Sequence, residues 1–128
     1  MRKILSLLTI IISIKSFGQI KTCKDFKNGT FKYFQPNSGI GYGDLITTRN
    51  DSLQTDSFPK LGLETESQIK WITDCKYEME IVKVNLSSMK TLIGVKKIVE
   101  ITSINNNEII FRTDCNGIIE EREMIKIK

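Results

Sequence analysis

The chain has 128 residues, 19 Lys and Arg against 15 Asp and Glu, three cysteines and no histidine. Without histidine, Ser-His-Asp and Cys-His nucleophilic sites and the His-containing zinc sites of most hydrolases are excluded. Three cysteines cannot form a four-thiolate zinc site, and with no Cys-x-x-Cys pair thiol–disulfide exchange is not expected either. No cofactor and no metal is therefore expected.

The N-terminus sets the compartment. Arg2-Lys3 precedes an apolar run from Ile4 to Ile14, and small residues follow at Ser16 and Gly18. A charged start, a short apolar stretch and small side chains at the −3 and −1 positions define a secretion signal over 1–18, cut before Gln19. A membrane span needs about 20 apolar residues, and this run is roughly half that, so no stable membrane anchor is expected after cleavage. Ile20-Lys21-Thr22 before Cys23 lacks the small residue that lipidation requires directly before the cysteine. Removing the leader takes Arg2, Lys3 and Lys15 with it, leaving 16 basic residues against 15 acidic ones. The net charge of +4 thus falls to near +1. The remaining cations are interleaved with acids, as in Lys96-Lys97-Ile98-Val99-Glu100, which reads as a solvated strand face rather than a nucleic-acid surface.

One domain over 19–128 is expected, and its elements alternate at the period of strands. Gly29-Thr30-Phe31-Lys32-Tyr33-Phe34 reads as a strand ended by Pro36-Asn37-Ser38-Gly39. Leu45-Ile46-Thr47-Thr48 and Ser52-Leu53-Gln54-Thr55 read as a hairpin around Arg49-Asn50-Asp51, with a connection over 58–65. Residues 67–73 and 76–84 form two more strands about Asp74-Cys75; Tyr77, Met79 and Ile81 share one face of the second, Glu78 and Glu80 the other. A short helical turn is expected near 86–92, where Leu86, Met89 and Leu92 are spaced by three. Strands over 95–104, 108–115 and 118–127 complete the chain, the last two joined by Asn116-Gly117, the strongest short hairpin signal. About eight antiparallel strands with short turns predict an all-β, up-and-down, calycin- or lipocalin-like barrel, with a β-sandwich as the alternative.

The chemistry left is sparse. Glu78 with Glu80, and Glu121 with Glu123, are adjacent on their strands, whereas glycoside hydrolysis needs carboxyls on opposite sides of a sugar. Gly41-Tyr42-Gly43 lacks the strand-then-helix context of a phosphate loop. Asp74, Cys75, Asp114 and Cys115 could converge on a metal, but an exported chain favours a disulfide instead. Arg49 in the hairpin turn could meet an anionic ligand or partner. Trp71, Tyr33 and Tyr42, with Phe31 and Phe34, could line a pocket, with core packing the competing role. Cys23, Cys75 and Cys115 allow one bridge in any of three pairings, with one thiol left over.

The pattern Cys23-x-x-Phe26-Lys27-x-Gly29-x-Phe31, then Arg49 before Leu53-Gln54, then Ile69-x-Trp71-x-x-Asp74-Cys75-x-Tyr77 resembles a family of small exported proteins of Bacteroidetes-type Gram-negative bacteria. Some members carry a DNA topoisomerase IV label, for which this sequence offers no nucleotide or DNA-cleavage motif. The resemblance spans about residues 23–77 and implies a Cys23–Cys75 bridge with Cys115 as an addition; it implies no catalytic residue. The expected role is a non-enzymatic periplasmic or cell-surface binding module for a small ligand, a monomer with no nucleic-acid partner. The alternative is an interaction or inhibitor domain, similar to exported lysozyme inhibitors, acting on an envelope protein. A carboxylate-based glycan enzyme ranks last.

Overall fold

The computed structural model describes residues 20–33 and 45–128. The expected leader, Phe34 and Tyr42 with its flanking glycines lie outside the described residues. Eight strands run β1 Gly29–Tyr33, β2 Ile46–Asn50, β3 Leu53–Phe58, β4 Leu63–Thr73, β5 Lys76–Val84, β6 Lys96–Asn105, β7 Glu108–Cys115 and β8 Ile118–Lys126. Each pairs antiparallel with its neighbours in sequence, and β8 returns to β1 through Phe31↔Lys126 and Tyr33↔Met124. The sheet is therefore a closed up-and-down barrel, not a sandwich, and closure removes the free strand edges that a meander would otherwise expose.

Closing eight strands requires strong coiling of the long ones. Register shifts at Glu66/Ser67 and Trp71/Thr73 between β4 and β5, and at Ile101/Ser103 between β6 and β7, supply it. Ile72, at the Trp71/Thr73 shift, is exposed. Asn116 and Gly117 both take positive φ, 53° and 87°, the combination that lets a two-residue turn follow the twist of β7 and β8.

Because the connections alternate, the barrel has two distinct ends. At one, a 3-10 turn, η1 Cys23–Phe26, plugs the interior, with Cys23 and Phe26 buried in the core cluster and the Phe26 ring 6.4 Å from that of Phe31. The plug is fastened by a Cys23–Cys75 disulfide to the β4–β5 turn, the pairing that the resemblance implies, and Cys115 is the free thiol. Lys27 donates to Asp74 at 3.1 Å and stands over the Trp71 ring, while the Trp71 indole donates to Asp51 O at 2.9 Å. A disulfide points to a non-cytoplasmic environment.

Among the described residues, the opposite, open end carries the β3–β4 connection with its 3-10 turn η2 Pro59–Leu61, the β5–β6 connection with η3 Ser87–Leu92, and the Asn116-Gly117 turn; most of the β1–β2 connection, which belongs to the same end, lies outside them. Asn85 ties two of them together, accepting from Glu64 N at 2.7 Å and donating to Gly62 O at 2.9 Å.

Local boundaries differ from expectation in two places. The β2–β3 turn is Asp51-Ser52, so Arg49 belongs to β2 rather than to the turn, because the buried register carries the strand further than turn propensity alone indicates. The connection expected over 58–65 shrinks to η2 and Gly62, since Leu63 and Thr65 are buried and pair with Phe58 and Asp56. The helical turn expected near 86–92 is η3, broken at Met89.

The bridge closes a long stretch of chain, 52 residues in sequence separation. Cys23→Ser or Cys75→Ser should each lower the unfolding free energy by about 2–4 kcal/mol in urea titrations, through a larger unfolded ensemble. Cys115→Ser should cost less; equal losses at all three positions would contradict the structural role given to the bridge.

Candidate functional site: the barrel interior and its open mouth

Directly paired residues in an antiparallel sheet point to the same face, so the register determines what lines the barrel. Gly29↔Arg49↔Gln54↔Ser67 and Phe31↔Thr47↔Asp56↔Thr65 run inward across β1 to β4. Tyr77, Met79, Val99, Ile101, Ile109, Phe111 and Met124 point inward from β5 to β8. The interior is two-sided: largely polar on β2, β3 and β4, and mainly apolar on the remaining strands, where Lys97, Thr113, Glu120 and Arg122 also take inward positions.

The polar half is wired as one network. Arg49, 3% exposed, donates from Nη1 to Phe26 O at 2.8 Å, from Nη2 to the Tyr77 hydroxyl at 2.9 Å and from Nε to Gln54 Oε1 at 3.0 Å. Its guanidinium carbon also lies 4.9 Å from the ring centroids of Phe31 and Tyr77. Gln54 Nε2 in turn donates to both carboxylate oxygens of Asp56, and Thr47 Oγ1 donates to Asp56 Oδ1. Buried polar groups are affordable only when so satisfied. Ser67 is the exception: it is fully buried and its hydroxyl has no partner among the described residues.

Two phenols border this network. Burial pushes the Tyr33 hydroxyl well above its usual titration range, assisted by the nearby Asp56 and Tyr77. Burial also raises Tyr77, against the opposing charge of Arg49. Tyr33 packs edge-on against Phe111, and Trp71 lies 4.7 Å from Tyr77 between ring centroids.

The core does not fill the barrel to its open end. A cavity of about 290 Å³ opens there between β5, β6, β7 and β8, close to the lower end of the roughly 300–1,000 Å³ typical of ligand pockets. Its apolar wall is Met79, Ile81, Val95 and Ile118. Lys97, Thr113, Cys115 and Glu120 supply the polar groups. Lys97 is opposite Met79 in the ladder and so shares its inward face, which departs from the solvated face expected for this stretch. Glu120 is paired with Arg122 on β8, while Lys97 has no ion pair among the described residues. The Cys115 thiol donates to Lys96 O at 3.6 Å. Ser67 is opposite Ile81, next to the cavity wall.

The structure distributes the sequence candidates unevenly. Arg49 is buried and structural rather than solvated in a turn, Tyr33 and Trp71 pack against the core, and Tyr42 lies outside the described residues. Asp74 and Cys75 lie at the plugged end and Asp114 and Cys115 at the open end, so they do not converge on a metal. Asp74 instead engages Lys27, whose hydrogen bond and charge lower its pKa. Glu78 and Glu80 face outward opposite Lys70 and Gln68, and Glu121 faces outward opposite Arg112, so neither pair forms two carboxyls across a cleft. Gln54, Asp56, Ser67 and Lys97 were not singled out by sequence reasoning. The i, i+2 polar pairs Thr47/Arg49 and Gln54/Asp56 were the signal available. No family model, curated protein or solved structure matches the chain.

Two measurements follow from the network. Lysine cannot reproduce the fork that serves Phe26, Gln54 and Tyr77, so Arg49→Lys should cost about 2–4 kcal/mol in urea unfolding; a loss below about 0.5 kcal/mol, the range of ordinary surface substitutions, would show that the fork is dispensable. Tyr33 and Tyr77 have folded pKa values raised above the unfolded value near 10. Their neutral forms therefore contribute fully below that pH, and the contribution is lost as pH rises from there toward the folded pKa. The unfolding midpoint should fall above about pH 10, and less steeply in Tyr33→Phe or Tyr77→Phe; identical profiles would count against the burial of these hydroxyls.

Proposed function

We propose that this protein is an exported, non-enzymatic binding module of the periplasm or cell surface, a monomer whose barrel mouth holds a small amphipathic anion. The observation that carries this reading is the open-end cavity, where an apolar wall of Met79, Ile81, Val95 and Ile118 faces Lys97, which has no ion pair among the described residues, while Glu120 of the same lining is paired with Arg122. With Glu120 engaged by Arg122, the half-buried Lys97 ammonium favours an anionic guest, since the guest replaces solvation that the cavity removes. Thr113 offers a further hydrogen bond to a polar head, and the apolar wall would accept an alkyl or aromatic body. The disulfide and the sequence of the leader support export.

The test combines native mass spectrometry of protein recovered without reduction with titration of the amphipathic anion anilinonaphthalene sulfonate. Saturable binding should appear, weaken about tenfold in Lys97→Glu and vanish in Ile81→Trp, whose larger side chain fills the cavity. Circular dichroism identical to the parent protein would establish that both variants remain folded. A bare native mass together with no saturable probe binding would overturn the reading and favour a module acting on another protein.

A further inference from the structure

Cleavage of the leader before Gln19 makes glutamine the first residue of the mature chain. At an N-terminus this residue type has a chemistry of its own. The freed α-amine reaches the side-chain amide of the same residue through a five-membered ring, so nucleophile and electrophile are held together and no encounter has to be organised. Ile20, Lys21 and Thr22, which separate it from Cys23, have no side-chain carbonyl and cannot react in this way. An α-amine titrates near pH 8, so about a tenth of it is the unprotonated nucleophile at neutral pH.

The described residues that follow are in solvent. Ile20 is 84% exposed, and Lys21 and Thr22 are exposed as well, so this segment is not packed into the barrel. Thr22 opens the plug: its backbone N–H donates to Asp25 Oδ2 at 2.8 Å, and its carbonyl accepts from Asp25 N at 3.0 Å. The next residue, Cys23, is buried and bridged to Cys75. The cap of η1 therefore lies within a few exposed residues of the new chain end, where an aminopeptidase working inward from a free α-amine would soon reach it.

We propose that the mature N-terminus is a pyroglutamyl group formed from Gln19, and that this lactam protects the cap of the plug. The α-nitrogen attacks Cδ of its own side chain, the Nα–Cδ bond closes the ring, and the Cδ–Nε2 bond breaks. One proton passes from the α-nitrogen to the departing nitrogen, which leaves as ammonia. No oxidant, cofactor or second substrate enters the balance. The step rests on the exported reading, because the amine is free only after the leader is removed. It takes one positive charge from the terminus and leaves no α-amine on which exopeptidase trimming could begin.

The experiment is intact-mass measurement with fragmentation of the whole protein, expressed with its own leader, recovered from the exported fraction and reduced so that the bridge does not enter the mass. The chain should begin at residue 19 and be lighter than the uncyclised form by about 17 Da, the ammonia lost. The parent should resist a broad-specificity aminopeptidase and become sensitive after treatment with pyroglutamyl peptidase. Gln19→Ala should begin at the same residue, keep its full mass and be trimmed toward Cys23. A chain that begins at Gln19 with its full mass overturns the proposal and leaves the exported reading standing. A chain cut elsewhere, or one that keeps the leader, overturns the proposal together with the cleavage site on which it rests. Equal resistance of the parent and Gln19→Ala to the aminopeptidase overturns the protective role.

Discussion

Arg49 holds the barrel to its plug. A guanidinium 3% exposed is expensive to bury, and it is tolerated here because three of its donors are used and two aromatic rings flank it. Those partners lie on different elements: Phe26 belongs to η1, Gln54 to β3, Tyr77 to β5 and Phe31 to β1. One side chain thus crosses the interior and fixes the position of the plug relative to three strands that are not all neighbours in the sheet. The disulfide then restrains the same plug from the far side, through the β4–β5 turn. The two devices do different work. The bridge limits the unfolded chain, whereas Arg49 and its hydrogen-bonded partners specify how the folded interior is arranged.

The same network explains how much of the fold was legible in the sequence. The strands from β5 to β8 alternate apolar and polar residues cleanly, so Tyr77 and Met79 inside, and Glu78 and Glu80 outside, could be read directly. Asn116-Gly117 fixed the last hairpin for a local reason, the ease with which both residues take positive φ. In β2 and β3 that logic fails. Thr47, Thr48, Arg49 and Asn50 are polar on both faces, and in the following strand Leu53 points outward while Gln54 and Asp56 point in, with Phe58 only at its far end. Alternation read from Leu53 would have turned the strand inside out. Only the long-range partners Phe26 and Tyr77 make the inward register favourable, and those are visible only once the barrel is closed.

Lys97 escaped notice for a related reason. In sequence it sits in a mixed-charge run that looks like a solvated face, and Lys96 beside it does pair with Glu80 on the outside. The ladder places Lys97 opposite Met79, on the inner face, where the core has already thinned toward the open end. A cation at such a position is held half in solvent, able to meet a guest without the full cost of burial. The cavity was therefore not legible as a motif, because it is a product of register and of where packing stops.

These features place the tightly anchored and the loosely packed parts of the described barrel at opposite ends. The plugged end concentrates the disulfide, the Arg49 fork and the hydrogen bonds of Lys27 and Trp71, so local opening there requires breaking several independent contacts. The open end relies on short turns, on Asn85 and on two brief 3-10 segments, and its apolar groups are left partly uncovered. Leu61, Ile93 and Ile118 are 48%, 47% and 67% exposed there, so their side chains add little to the packing of this end. The anchoring at the far end is what allows this end, where Lys97 has no ion pair among the described residues, to remain incompletely packed.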